Sequence, residues 1–185
     1  MTAPNWFVAL PVPAQAWLEA LTAPPVGARL FASDDVHITL AFLGPVGEER
    51  ARAAWEAARR LPPASPFRFL PGALSPFGPR RRPSAWAVEP LDGAPRLAAF
   101  IEAARGPVAE AAGCSVDPRA VRPHATLVRP RRGAAPAVHR ALATWAVAQA
   151  LPVAPVELDR LALYTWAEDR RRRLFRVVAS RPLWP

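Results

Sequence analysis

Only three histidines occur in the 185 residues, and two of them stand in matching contexts, His37-Ile38-Thr39-Leu40 and His124-Ala125-Thr126-Leu127. On a strand, alternate side chains point to one face, so His37 shares a face with Thr39, and His124 with Thr126. Two such strands side by side present two imidazoles and two hydroxyls. Histidine titrates near neutrality, so one ring can take a proton from water while the other gives one to a leaving oxygen. The hydroxyls, with a nearby arginine, can hold the non-bridging oxygens of a phosphate as charge develops. The arrangement suits phosphodiester cleavage, and nothing in it demands a metal. A zinc site would want a third ligand, and neither His-Glu-x-x-His nor a cysteine pair is present. Asp34 and Asp35, close to His37, read as turn residues, and the third histidine, His139, as a surface residue of an alanine-rich helix.

The bulk composition narrows the setting. The net charge is +9, and all 24 basic residues are arginine, so no lysyl-nucleotide or Schiff-base intermediate can form on a lysine here. Arginine holds its charge and offers a planar fork suited to phosphate. The single cysteine, Cys114, rules out an internal disulfide framework, and no apolar run approaches membrane-spanning length. A soluble, cytoplasmic, monomeric chain with no membrane partner is the expectation. At 51% apolar residues it can bury a sizeable core despite 24 prolines.

Elements that would position the motifs recur in order. Trp6 to Pro11 reads as a buried strand, Pro13 to Leu21 as a helix, His37 to Leu43 as a strand, and Glu48 to Arg60 as a helix. Two strand-like segments follow, Phe67 to Leu74 and Ala85 to Glu89. The second half then gives a helix over Pro95 to Ala112, a strand over His124 to Val128 and a helix over Ala137 to Ala150. Two further strands, Val156 to Thr165 and Leu174 to Ala179, close the chain. Trp6 to His37 spans 31 residues and Trp86 to His124 spans 38, while His37 to Phe67 spans 30 and His124 to Val156 spans 32. Each half ends in an arginine-rich hairpin loop, Arg80–Arg82 and Arg170–Arg173. The fold expected is α/β (α+β) and bilobal. Residues 1–185 would form one domain with two internal repeats, about 1–83 and 84–185. Two lobes related by a pseudo-twofold axis would each carry an antiparallel sheet with helices outside, and the cleft would lie between them.

These stretches resemble the 2H phosphoesterase superfamily, in particular the LigT-like RNA 2′,3′-cyclic phosphodiesterases, also called 2′-5′ RNA ligases. The resemblance rests on Trp6 to Pro11, Asp35 to Gly44, Arg122 to Arg129 and Leu161 to Tyr164, which together run over nearly the whole chain. It implies hydrolysis of an RNA 2′,3′-cyclic phosphate end to a 2′-phosphate, without cofactor. It also implies His37 and His124 as the acid/base pair, and Thr39 and Thr126 as phosphate ligands. Arg129 matches a basic position of the family, yet simple alternation turns it away from His124 unless the strand bulges near Val128. Ala41 departs from the lysine the family often carries. ATP-independent ligation, another 2H substrate such as a cyclic nucleotide, and an RNA-binding module without turnover are the alternatives. Trp86 and Phe42 are candidate base-stacking residues, against the ordinary expectation that strand aromatics are core.

Overall fold

The computed structural model describes residues 3–184. Its elements are β1 (Trp6–Pro11), α1 (Gln15–Ala20), β2 (Ala28–Leu30), a 3-10 turn (Ser33–Asp35), β3 (His37–Gly44), α2 (Glu48–Arg59), β4 (Phe67–Phe69), β5 (Pro71–Phe77) and β6 (Ala85–Pro90). They continue with α3 (Ala94–Ala111), β7 (Ala125–Pro130), α4 (Pro136–Val147), β8 (Val156–Leu158), β9 (Arg160–Trp166) and β10 (Phe175–Pro182).

Seven strands run in the order β10-β9-β1-β3-β7-β6-β5, with β2 paired on β7 as the eighth strand of the sheet. All pairings are antiparallel. The two lobes meet at one residue pair, Ile38 of β3 with Ala125 of β7. On one side lie β1, β3, β9 and β10, and on the other β2, β5, β6 and β7. Each lobe therefore contains strands from both halves of the chain.

Alternation assigns the faces. Trp6, Val8 and Leu10 of β1 and Leu161 and Leu163 of β9 enter the main core. Their neighbours Phe7, Ala9, Ala162 and Tyr164 form a second small cluster on the opposite face. Burial on both faces is why β1 reads as an unbroken apolar run. The helices cover the core face: Trp17 of α1, Ala51 and Trp55 of α2, Leu97 and Ile101 of α3, and Leu142 of α4 all join the main cluster.

Two expected strands are each broken in two. Phe67 to Leu74 divides into β4 and β5, and Val156 to Thr165 into β8 and β9. In both cases the first three residues leave the large sheet, and β4 and β8 pair with each other instead. His124 sits just before β7 rather than inside it. His139 is half-buried, with a buried Nδ1 that has no hydrogen-bond partner, so it is not a plain surface residue. Trp86 is 2% exposed and belongs to the core.

Candidate active site

The single pair Ile38–Ala125 sets the geometry. Continuing that antiparallel register puts His37 opposite Thr126 and Thr39 opposite His124, all four on the face opposite Ile38 and Ala125. The two histidines then occupy diagonal corners, roughly 7–8 Å apart by the usual strand spacing. That leaves room for a phosphate between them.

Each ring is fixed in the same way. His37 Nδ1 lies 2.7 Å from the carbonyl of Asp35, and His124 Nδ1 lies 2.8 Å from the carbonyl of Arg122. A carbonyl only accepts, so Nδ1 carries the proton in both rings and Nε2 is left free to take one. The residue two before each histidine is itself anchored. The Asp35 carboxylate is fully buried and accepts from the backbone N–H groups of Leu174 (2.7 Å) and Phe175 (2.9 Å). Arg122 pairs with Glu89 of β6 through two hydrogen bonds.

A β-bulge in each strand brings a further residue into the site. On β3, Ala9 pairs with Thr39 and Val8 with Ala41, so Leu40 is one residue in excess. On β7, Ala87 pairs with Thr126 and Trp86 with Val128, so Leu127 is in excess. The extra residue restarts the alternation. Leu40 and Ala41, like Leu127 and Val128, both turn into the core. The fifth residue after each histidine then returns to the open face: Arg129 after His124, and Phe42 after His37. Both line one cleft of about 850 Å³, together with Thr39, Phe77, Arg122 and His124. Thr126 is more enclosed, at 7% exposure. Arg129 thus has the bulge its placement demands, and Phe42, 60% exposed, stands where the other lobe has arginine. Ala41 is 4% exposed, and its methyl group offers no ligand atom to the cleft it lines.

The surroundings of the two rings differ. His37 stacks on Phe7 at 4.6 Å, with Tyr164 at 5.4 Å and the edge of Phe175 at 5.5 Å. Burial among these rings pulls its pKa down to about 4, the Asp35 carbonyl raises it, and the charges of Arg129 and His124 lower it further. His124 stacks on Phe77 at 4.1 Å, and the Arg122 guanidinium covers that ring at 4.2 Å. Its pKa is lowered too, first by burial, with the Arg122 carbonyl and Glu89 acting in the opposite sense. Burial also lowers Arg129 from the ordinary arginine value. Without an anion, then, both rings favour the neutral form; the Arg129 charge lowers both, and the Arg122 charge lowers His124 as well.

Gly78 makes the second environment possible. Its φ is +95°, and an added Cβ would come within 2.5 Å of the Ser84 hydroxyl, so the turn that sets Phe77 under His124 requires glycine. Among the described residues, no three His, Cys, Asp or Glu side chains gather as a metal site. No helix there is long and apolar enough to cross a membrane.

Residue types alone pointed to His37, Thr39, His124, Thr126 and Arg129, and the fold brings all five to one face. Phe77 and Glu89 contribute to the geometry with no motif to mark them, and Phe7 and Asp35 lie in matched stretches that assigned them no part in the site.

Several solved structures share this fold over its full length. Escherichia coli LigT complexed with 3′-AMP aligns over 96% of this chain and 97% of its own, with TM-score 0.69 and 23% identity. The protein TT0787 of Thermus thermophilus aligns over 97% of both chains, with TM-score 0.63 and 23% identity. A structure described as a phosphoesterase covers 98% of this chain and 99% of its own, with TM-score 0.66 and 23% identity. At such identity these likenesses speak for the fold. No curated protein matches the chain by sequence. The family model described as the 2′-5′ RNA ligase superfamily matches residues 10–170, which span both motifs and most of the chain. The chain belongs to the 2′-5′ RNA ligase superfamily of 2H phosphoesterases.

Proposed function

We propose that the protein is an RNA 2′,3′-cyclic phosphodiesterase that opens a terminal cyclic phosphate to a 2′-phosphate. The observation that carries this reading is the pair of histidines, each pinned through Nδ1 to a carbonyl so that Nε2 is left free, with the Arg129 charge acting on both rings. Water attacks phosphorus in line. One Nε2 takes the proton of the attacking water, and the other histidine protonates O3′ as its bond to phosphorus breaks. Each transfer contributes roughly 10²–10⁴ in rate. Thr39, Thr126 and Arg129 hold the non-bridging oxygens. The phosphate anion also repairs the electrostatics of the empty site, since its charge offsets Arg129 and favours the protonated form of the ring that acts as acid. Phe42 offers its exposed ring to the base or ribose of the terminal nucleotide. The enzyme works as a cytoplasmic monomer and needs no cofactor.

LigT has been solved with 3′-AMP, with ATP and with phosphate, so that relative accepts phosphorylated nucleosides in the same fold. Joining a cyclic-phosphate end to a 5′-hydroxyl puts that hydroxyl in the place of the attacking water, with O3′ leaving as before, and uses the same groups. In water it is a side reaction unless the second RNA end is held tightly.

The test is an oligoribonucleotide with a 2′,3′-cyclic phosphate end, incubated in EDTA with and without a 5′-hydroxyl partner RNA. A 2′-phosphate product supports the reading. Tight binding without turnover would favour an RNA-binding module, and a joined product as the main species would favour ligation.

A further inference from the structure

A second concave site lies beside the first and is lined by arginine. Ala28, Arg29 and Leu30 of β2, Arg131 after β7, and Arg170, Arg171 and Arg172 of the β9–β10 loop enclose a pocket of about 570 Å³. Among the described residues, Arg29, Arg131, Arg170 and Arg171 take part in no ion pair. The carboxylate nearby is Asp169, which accepts from the Arg171 backbone N–H at 3.0 Å and lies 3.6 Å from Arg172. Five arginines thus line one pocket, and among the described residues their one ion pair is Arg172 with Asp169.

Two connections fasten this pocket to the candidate active site. Arg29 is the direct cross-strand partner of Arg129 in the β2–β7 pair. Directly opposed residues share a face with Cβ atoms roughly 4.5–5.5 Å apart, and like charges placed so are destabilising. The second connection is the buried Asp35 carboxylate, which holds the loop's far end at Leu174 and Phe175, and Phe175 touches the His37 ring. Arg170 is steadied over the Trp166 ring at 4.2 Å, and an Arg29 guanidinium nitrogen lies 3.4 Å from the Arg171 carbonyl. Positive charge therefore runs without interruption from Arg129, beside the reacting phosphorus, through Arg29 into the pocket. Such a track costs stability when empty and is relieved by a chain of anions at successive positions.

We propose that this pocket binds internucleotide phosphate on the 5′ side of the reacting nucleotide, so that the preferred substrate is an oligoribonucleotide and not a mononucleoside cyclic phosphate. The proposal rests on the phosphodiesterase reading for its substrate, while binding at the pocket is measurable without turnover. A free nucleoside triphosphate presents the same chemistry from another source, and the experiment separates the two.

The variant R131Q/R171Q/R172Q removes three charges from exposed side chains and leaves Arg129 in place. Its affinity for an oligoribonucleotide ending in a 2′-phosphate, read by fluorescence anisotropy across a salt series, should fall roughly tenfold. The log–log salt slope should become shallower by about 0.7 per lost phosphate contact, or about 2 for three contacts. Hydrolysis of a mononucleoside 2′,3′-cyclic phosphate should stay within about twofold of wild type, while kcat/KM on the oligonucleotide falls with the affinity. Unchanged affinity and slope would overturn the proposal. So would full displacement of the oligonucleotide by an equal concentration of ATP, which would assign the pocket to free nucleotide. If wild type cleaves neither substrate yet the variant still loses affinity and slope, the phosphodiesterase reading fails and the phosphate pocket stands. Should the triple variant unfold at a lower temperature than wild type, R131Q alone carries the same test.

Discussion

The two histidines sit in one repeated backbone arrangement but in unlike company. His37 is enclosed by three aromatic rings, whereas His124 rests on one ring at the cleft and has a salt bridge behind it. The same contrast reaches the residues two positions earlier. Asp35 is fully buried and ties down a loop from the far end of the chain, while Arg122 is 57% exposed and meets its partner at the surface. It reaches the residues five positions later as well, where one lobe has Phe42 and the other Arg129. Local symmetry fixes both rings through Nδ1 in the same way, and the unlike surroundings give each ring different neighbours. A two-histidine mechanism requires that combination, since two rings with identical surroundings would compete for the same proton state.

The largest effect expected is on turnover when either ring is replaced. His37→Ala and His124→Ala should each lower kcat by about 10²–10⁴, measured on the cyclic-phosphate oligonucleotide, with both variants still folded by circular dichroism. A near-wild-type rate for either would end the two-histidine reading. The fifth-position pair should separate by kinetic parameter. Arg129→Ala should lower kcat, because its charge acts on the reacting phosphate, while Phe42→Ala should raise KM by about tenfold at nearly constant kcat, in line with the loss of one stacked base. An equal fall in kcat for both would remove the distinction.

Next in size is anchoring. Asp35→Ala leaves two enclosed N–H groups without their acceptor and should cost about 1–3 kcal/mol in urea unfolding. Arg122→Ala removes an exposed pair and should cost no more than about 1 kcal/mol. A larger loss at Arg122 would reverse the contrast between the lobes. The smallest effect is on pH dependence. The folded pKa of His37, about 4, lies below its ordinary 6.5. Between those values the unfolded chain takes up the proton first, so this contribution to stability is complete above pH 6.5 and is lost as pH falls towards 4. His37→Asn should flatten that part of the stability–pH curve, and His124→Asn should flatten it less.

Much of this was legible in the residues. The His-x-Thr motifs needed only the two-residue period of a strand, and their recurrence indicated two lobes. What escaped depends on partners distant in sequence. The bulges at Leu40 and Leu127 exist only because β1 and β6 pair in a particular register, so Phe42 could not be told from an ordinary core aromatic. Arg129 required a bulge on chemical grounds, and its location became fixed only by the pairing of Trp86 with Val128. Strand β2 is three residues long and is defined by β7, so no periodicity marks it. The break at Leu70 interrupts an apolar run that continues across it, and at Asp159-Arg160 the alternation slips by one residue; the two sides of each break belong to different sheets.

The exchange of strands between lobes governs when the protein can first exist in working form. β1 and β3 are made early, yet their outer neighbours β9 and β10 lie at residues 160–182. During synthesis the bed of His37 therefore lacks Tyr164 and Phe175 until residues as far as 175 have left the ribosome. Its pairings close loops of well over a hundred residues, which makes folding slow relative to a chain of local hairpins. A nascent chain stalled before β9 should carry both His-x-Thr motifs and remain inactive.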